Sequence, residues 1–340
     1  MKMGNLKNKK PIAVLISDIH YNINTLPVAD AALRQAIAKA NQLNVSLIVA
    51  GDTHDTKANL RAECTNALIE TFKQCNTTAY VLVGNHDKIN EKSEEHALNF
   101  LDKYAVIINR FRDPKSHCNV IASNWILCCY HHDADELRRQ LRHNTTRNII
   151  MHQGITGSKS GDYIQDKSAL SPADLAGRRV ISGHYHTRQT IDLPDGGKFD
   201  YIGNPYTLNF AEANDPPKGF QVLYDDGSLE FVPTNLRKHV VIEMDGIKDI
   251  PYNYAPGDLI KVKLTARKED LAVYTKERIA KMLNIDWGFR LDIIPLETST
   301  ETQETRKETS KPEILDSLID STHNTSAEQK ERIKKLWRNL

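Results

Sequence analysis

No apolar run in this sequence approaches the roughly 18 residues that a membrane-spanning helix needs, and no segment repeats another. Cysteine is scarce. Cys64, Cys75, Cys118, Cys128 and Cys129 form no Cys-x-x-Cys pair, and their odd number argues against a disulfide framework. The first ten residues are polar and basic without an apolar centre, unlike a secretory leader, so a cytoplasmic location is expected. Net charge is nearly absent as well. At +1 over 340 residues the chain has no general attraction for a polyanion, so if a partner is a nucleic acid the positive surface must be local or come from another subunit. The remaining composition, 40% hydrophobic and 26% charged, is that of a soluble globular protein with room for one large domain and a smaller one.

Histidine is what the chain has in quantity. Of its 13 histidines, His20, His54, His86, His152, His184 and His186 fall in short motifs that each follow a strand-like apolar run. Asp18-Ile19-His20 follows residues 12–16, and Gly51-Asp52-Thr53-His54-Asp55 follows residues 47–50. Gly84-Asn85-His86-Asp87 follows residues 78–83, His152-Gln153 follows 148–151, and Gly183-His184-Tyr185-His186 follows 180–182.

Between these runs the spacing predicts helices over residues 27–43 (Leu33, Ile37 and Ala40 on one face), 61–75, 93–104 and 133–143, with a strand over 120–130. Strand and helix alternate over the first 84 residues, which predicts right-handed crossovers and a mainly parallel sheet. Asp195-Gly196-Gly197 and Asp225-Asp226-Gly227 mark antiparallel hairpins further on. The expected fold class is therefore α/β, with mixed sheets flanked by helices over residues 1–236. Residues 237–297 read as a small α+β cap, with strands over 240–244, 259–264 and 290–294 and a helix over 269–283. Residues 298–311 contain no hydrophobic residue and read as a linker. Residues 312–340 read as two short amphipathic helices. Ile314 and Leu318 lie on the stripe of one, and Ile333, Leu336 and Trp337 on that of the other, a pattern suited to docking on a partner's helices.

A histidine at one strand end is more often a satisfied polar residue than a ligand. Five strand ends that all carry hard oxygen or imidazole donors are instead what one shared metal site at a sheet edge requires. Carboxylate, amide and imidazole without thiolate suit Mn²⁺, Fe²⁺ or Zn²⁺ better than Ca²⁺. Asp52, the only acid directly after a strand-end glycine, is the natural bridge between two ions. Asp18 and His20 alternate along what reads as an extended segment and can face one ion, and His184 and His186 share that spacing. Asn85 offers an amide oxygen and His152 a further nitrogen. Two such ions can hold a phosphate and activate water for in-line attack.

In this order the motifs resemble the signature of the calcineurin-like metallophosphoesterases. The resemblance implies a metallophosphoesterase sandwich with two divalent ions. One ion would be held by Asp18, His20, Asp52 and His186, the other by Asp52, Asn85, His152 and His184. His86 would stabilise the pentacovalent phosphate or protonate the leaving oxygen, work that suits an imidazole near neutral pH. Many members place a second catalytic histidine three residues after the bridging aspartate. Here that position is Asp55 and the histidine is His54, so both are candidates.

Tyr201-Ile202-Gly203-Asn204-Pro205, Phe210-Ala211-Glu212, Lys218-Gly219-Phe220, and His152-Gln153-Gly154 with Gly157 look like segments of SbcD-type DNA repair nucleases, in a short form similar to phage-encoded members. That narrower resemblance implies a Mn²⁺-dependent DNA phosphodiesterase, an exonuclease on duplex ends and an endonuclease on single strands, serving repair, recombination or replication. It also implies a homodimer whose tail docks on an SbcC-type coiled-coil ATPase. Arg138, Arg139 and Arg142, in the densest basic cluster, and Arg188 are candidate DNA contacts, with a solvated helix face as the plainer reading of the cluster. The alternative function is a stand-alone phosphodiesterase or phosphatase for a small molecule, which leaves the linker and tail without a purpose.

Overall fold

The computed structural model describes residues 9–55, 57, 59–90, 92–109, 124–161, 163–245, 254–296 and 330–331. In chain order the elements are β1 (Pro11–Ile16), α1 (Leu26–Leu43), β2 (Ser46–Val49), α2 (Ala62–Phe72), β3 (Ala79–Leu82), β4 (Val106–Ile108), β5 (Trp125–Cys128), α3 (Ala134–His143) and β6 (Asn148–His152). The short β7 (Lys159–Ser160) and β8 (Tyr163–Ile164) follow, then β9 (Arg179–Gly183), β10 (Gln189–Asp192), β11 (Lys198–Tyr201), β12 (Gly219–Tyr224) and β13 (Leu229–Pro233). The last are β14 (His239–Asp245), β15 (Leu259–Arg267), α4 (Lys276–Met282) and β16 (Phe289–Leu296). By internal contacts the chain divides into two compact units, Met1–Leu264 with Lys276–Asp292, and Thr265–Thr275 with Ile293–Leu340. The described part of the second unit is the end of β15, a 3-10 stretch over Lys268–Val273 with the two residues after it, the end of β16 and residues 330–331.

Two sheets make the body of the first unit. One has the order β13-β12-β1-β2-β3-β4 and the other β10-β11-β9-β6-β5. Their centres are parallel, as β1 to β4 pair parallel and so do β5, β6, β9 and β11. The antiparallel strands are edge additions, β12 and β13 on one sheet and β10 on the other. Successive side chains on a strand point to opposite faces, and here that period builds three separate apolar layers. Val14, Ile16, Leu47, Val49 and Val81 pack with Leu33, Ile37, Leu68 and Phe72 of the two flanking helices. The alternate residues Leu15, Ile48, Tyr80 and Leu82 pack against Trp125, Leu127, Ile150 and Ile181 of the opposite sheet. On the far face Ile149, Met151, Val180 and Phe199 pack under Leu137 and Leu141 of α3. The result is a helix–sheet–sheet–helix sandwich, the α/β class expected of the sequence.

Local chemistry sets the helix ends. Pro27 lies in the first turn of α1, where its missing N–H costs nothing, and Asn44 ends the helix in a left-handed conformation at φ 52°. The Asp133 side chain caps α3 by accepting from the Asp135 and Glu136 amides, both at 3.0 Å. The helix expected over residues 93–104 is reduced to one 3-10 turn at Asn99–Leu101. Its first half is spent elsewhere: Lys88 and His96 form a β-bridge, and the Ala97 amide donates to the Asp87 carbonyl at 2.8 Å. The helix expected over 269–283 is divided as well, and α4 begins only after Thr275, a residue type that favours helix N-caps. The third sheet has the order β14-β15-β16. The described cysteines Cys64, Cys75, Cys128 and Cys129 are free, and no helix among the described residues is long and apolar enough to cross a membrane.

Ile150 is fully buried between the two sheets. Ile150→Ala should lower stability by about 2–5 kcal/mol, read from urea unfolding midpoints; a loss under about 1 kcal/mol would mean that the sheets close the gap.

Candidate metal centre

The C-terminal ends of β1, β2, β3, β6 and β9 meet at one edge of the sandwich, where ligands bind in open α/β sheets. The segment after β1 is not extended. Asp18 and His20 take left-handed conformations, at φ 53° and 51°. They are hooked onto the loop after β2: the Asp18 and His20 amides donate to the Gly51 and Asp52 carbonyls at 3.1 Å each, and the Tyr21 amide to Thr53 at 2.9 Å. Asp52 (φ 48°) and His184 (φ 93°) are left-handed too. Side-chain-bearing residues pay of order 1–3 kcal/mol for such conformations and keep them only where the surroundings over-determine them. Two glycines make the close approach possible. A Cβ on Gly84 would collide with the Asp52 carboxylate and amide, and one on Gly51, at φ 96°, with the His152 ring.

Asp52 is central. Its Oδ2 lies 3.3 Å from His152 Nε2 and 3.9 Å from His20 Nε2, and its Oδ1 accepts the His86 amide at 2.8 Å. Asn85 Oδ1 lies 3.1 Å from His152 Nε2 and 2.9 Å from His184 Nδ1. Both Asp18 oxygens accept the His184 amide at 3.1 Å. Potential donor atoms therefore gather as Asp18, His20 and His186, and as Asp52, His152 and His184, with the atoms of each set within 4.8 Å of one another. His20, Asp55 and His86 make a third such set.

The outer hydrogen bonds decide which ring nitrogen faces inward. His152 Nδ1 donates to the Ala50 carbonyl at 2.7 Å and His186 Nδ1 to Glu212 Oε1 at 2.9 Å, while His20 Nδ1 lies 3.2 Å from Asp55 Oδ1. With hydrogen on Nδ1, each of these rings turns an Nε2 lone pair to the centre. His20 Nε2 and His186 Nε2 then face each other at 3.2 Å, so a positive charge, proton or metal cation, must fill the space between them.

The electrostatics agree. Burial opposes charge on Asp52, but His152, then His20 and His86, outweigh it and hold the carboxyl below its usual range. Burial likewise opposes charge on His152, and the Asp52 carboxylate outweighs it and raises the ring above the ordinary histidine range. His20 is raised against burial by its hydrogen bond to Asp55 and by the Asp52 and Asp18 charges. His184 is pushed down to about 4, by burial and then by His152, and stays neutral. The carboxylates favour positive charge at the inward ring nitrogens, and a divalent cation that displaces the protons there would meet carboxylate, amide and imidazole donors that fit it.

His86 lines a cleft of about 410 Å³ together with Asp52, Asn85, His184 and His186. Its Nδ1 donates to the Asp55 carbonyl at 2.9 Å, and its Nε2 has no partner among the described residues. Asp55 joins the cluster through His20 and accepts Asn22 Nδ2 at 2.9 Å. His54 stands apart. It is buried edge-on to Phe100 at 5.9 Å and held neutral, near 4, by that burial.

The arginines are not drawn into the cleft. Arg138 is bound to Asp135, Asp174 and the Ala169 carbonyl, and Arg139 to Glu136. Arg188 lies over the Phe231 ring at 4.2 Å. None of these, nor Arg142, is among the cleft's lining residues. Ile314, Leu318, Ile333, Leu336 and Trp337 lie outside the described residues.

Two acids act here that spacing alone does not reveal. Asp87 is buried and accepts the Gly84 amide at 2.9 Å and the His54 amide at 2.8 Å, which ties the β3 loop to the β2 loop. Burial, then the Asp52 charge, raises it to about 6. Glu212 holds His186 from outside while accepting from Asn204 Nδ2 at 2.8 Å and the Leu208 amide at 2.9 Å, with Lys218 Nζ at 3.4 Å. The only trace of Glu212 in the sequence is its place in the segment after the last motif.

A family model described as calcineurin-like phosphoesterase matches residues 13–188, a span that contains every donor named above from Asp18 to His186. Exonuclease subunit 1 of Enterobacteria phage T4 is 24% identical over 259 residues, which is 72% of this chain and 73% of that protein. The crystal structure of a dimetal phosphatase from Danio rerio aligns with a TM-score of 0.40 and 14% identity, covering 63% of this chain and 93% of that one.

Because Glu212 fixes the His186 ring, Glu212→Gln should weaken Mn²⁺ binding by about 10–100-fold in a calorimetric titration. An unchanged affinity would show that the ring is held some other way.

Proposed function

The chain belongs to the calcineurin-like phosphoesterase family, and from that premise we propose that it is a Mn²⁺-dependent DNA phosphodiesterase acting as the nuclease subunit of a larger complex. The observation that carries the reaction class is the ring of donors around Asp52, with outer hydrogen bonds turning the histidine lone pairs inward. Asp18, His20, Asp52 and His186 would hold one ion, and Asp52, Asn85, His152 and His184 the other. When bound, divalent ions supply Lewis-acid charge to a phosphate and lower the pKa of water. The chain's own groups do the rest. The Asp55 carbonyl holds the His86 Nδ1 proton, so Nε2 is the ring nitrogen left to meet a phosphate oxygen, and it passes a proton to the leaving group only from the doubly protonated ring, which returns to the neutral Nδ1–H form. Asp55 orients His20 through Nδ1, a positioning part that His54, buried against Phe100, does not share.

The choice of DNA is supported by the similarity to a phage exonuclease subunit over most of both chains. The segment after the last motif packs against β14. Phe210 and Glu212 share one 3-10 turn, and the Phe210 ring meets the His239 ring of β14 edge-on at 4.8 Å. The His239 amide donates to Thr207 Oγ1 at 2.8 Å. On this reading residues 237–297 form a cap that positions DNA ends beside the site, and residues 312–340 dock on a coiled-coil ATPase of the SbcC type.

Labelled DNA offered beside bis-p-nitrophenyl phosphate, with Mn²⁺, tests the proposal. Cleavage of the diester alone would select the small-molecule reading. Asp52→Asn should lose bound metal and activity together, while His86→Ala should keep its metal, by elemental analysis, and lose about 10²–10⁴-fold in rate. Truncation after Glu297 should leave nuclease activity and abolish co-purification with the ATPase. A truncated protein that still binds it would remove the tail from this role.

A further inference from the structure

The loop after β6 carries a feature that the metal chemistry does not use. It runs from His152 into the β7–β8 hairpin, where Lys159 pairs with Ile164 and Ser160 with Tyr163. Tyr163 is 78% exposed and Ile164 62%, the two most exposed large hydrophobic residues described. Such side chains gain nothing for the fold, since their apolar area stays in water. Tyr163, Ser160 and Gly161 line the same cleft as Asp52, Asn85, His86, His184 and His186.

The base of the hairpin is firmly held. Gln189 of β10 accepts the Lys159 amide and donates to the Lys159 carbonyl, both at 2.7 Å. Ser158 Oγ donates to the Ile155 carbonyl at 2.6 Å and lies 2.9 Å from the buried Tyr201 hydroxyl, which also accepts the Ile155 amide at 2.9 Å. The Gly157 amide donates to the Gln165 carbonyl and the Gln165 amide to the Ser158 carbonyl, each at 2.8 Å. An exposed aromatic on a fixed mount can bind a flat partner without first being ordered.

Among the described residues, the cleft lining holds no arginine or lysine. Beyond the phosphate at the metal site, affinity for a polymer strand there falls to aromatic surface rather than to ion pairs. Stacking of bases on aromatic side chains is the sequence-tolerant way in which proteins hold single strands.

We propose that Tyr163 is a base-stacking platform that sets the substrate class: it receives an unpaired nucleobase next to the phosphodiester held at the metal centre. This rests on the nuclease reading above. The site therefore prefers a strand with a base at that position over a phosphodiester without one.

The test uses the full chain with Mn²⁺ and three substrates: a labelled single-stranded oligonucleotide, the same strand with an abasic residue beside the cleaved linkage, and bis-p-nitrophenyl phosphate. Tyr163→Ala should raise KM for the intact strand about 5- to 100-fold with little change in kcat, and the gap between wild type and variant should close on the abasic strand. Tyr163→Phe, which keeps the ring, should restore the KM. An unchanged KM in Tyr163→Ala overturns the proposal, as does an equal loss on the chromogenic diester. A gap as large on the abasic strand as on the intact one also overturns it. So does a change of oligomeric state by light scattering, which would make the hairpin a protein contact. A wild type that hydrolyses the diester and no DNA sinks the nuclease reading itself, a different result from any of these.

Discussion

Asp52 carries its charge in an almost fully buried position, with 2% of its surface exposed. A carboxylate there is tolerable only when paired and hydrogen-bonded. The partners come from four directions: the His86 amide, the His152 and His20 rings, and, one step out, Asn85 bridging His152 to His184. The partners sit at the ends of β1, β3 and β6, so the compensation of one charge couples the two sheets at their common edge. The lone pairs that then converge leave an unmet demand for positive charge, the electrostatic form of a metal site.

That demand explains where the chain departs from easy geometry. Asp18, His20, Asp52 and His184 are all left-handed, and the loops that bear them are laced together by backbone hydrogen bonds from Asp18, His20 and Tyr21 to the loop after β2. Asp87, buried beneath the site, ties the third loop in by accepting from Gly84 and His54. Strain is concentrated where donors must point inward, and the parallel strands behind them, buried on both faces, are rigid enough to hold it.

The same logic extends outward on one side. His186 is oriented by Glu212, and Glu212 lies on the turn whose Phe210 meets His239 of β14. Lys218 completes that junction, with Nζ on the His186 carbonyl at 3.0 Å and on Asp215 at 2.7 Å. A displacement of β14 therefore has a short covalent and hydrogen-bonded route to one ring of the centre. On the other side the β7–β8 hairpin, fixed by Gln189, presents its aromatic tip to the cleft without any such connection to a ring nitrogen.

Much of this was legible in the linear chain. The continuous apolar runs over residues 12–16 and 47–50, the helix over 27–43 and the donors after five such runs depend on neighbours in sequence, so the α/β class and the candidate donors could be read directly. Other features depend on neighbours in space. The helix expected over 93–104 gave way because Lys88 and His96 bridge across the segment and take its backbone groups. Asp18 and His20 are left-handed, not extended, because the loop after β2 supplies their hydrogen-bond acceptors. His54 and Asp55 are equivalent candidates in a motif, yet a ring packed on Phe100 and a carboxylate beside His20 have different chemistry. Glu212 and Tyr163 carry no spacing signal at all, since one acts through a ring 26 positions away and the other through exposure alone. Composition and periodicity determine which residues can be donors and which strands carry them; which lone pair faces inward is decided by the long-range hydrogen bonds that only the folded chain can make.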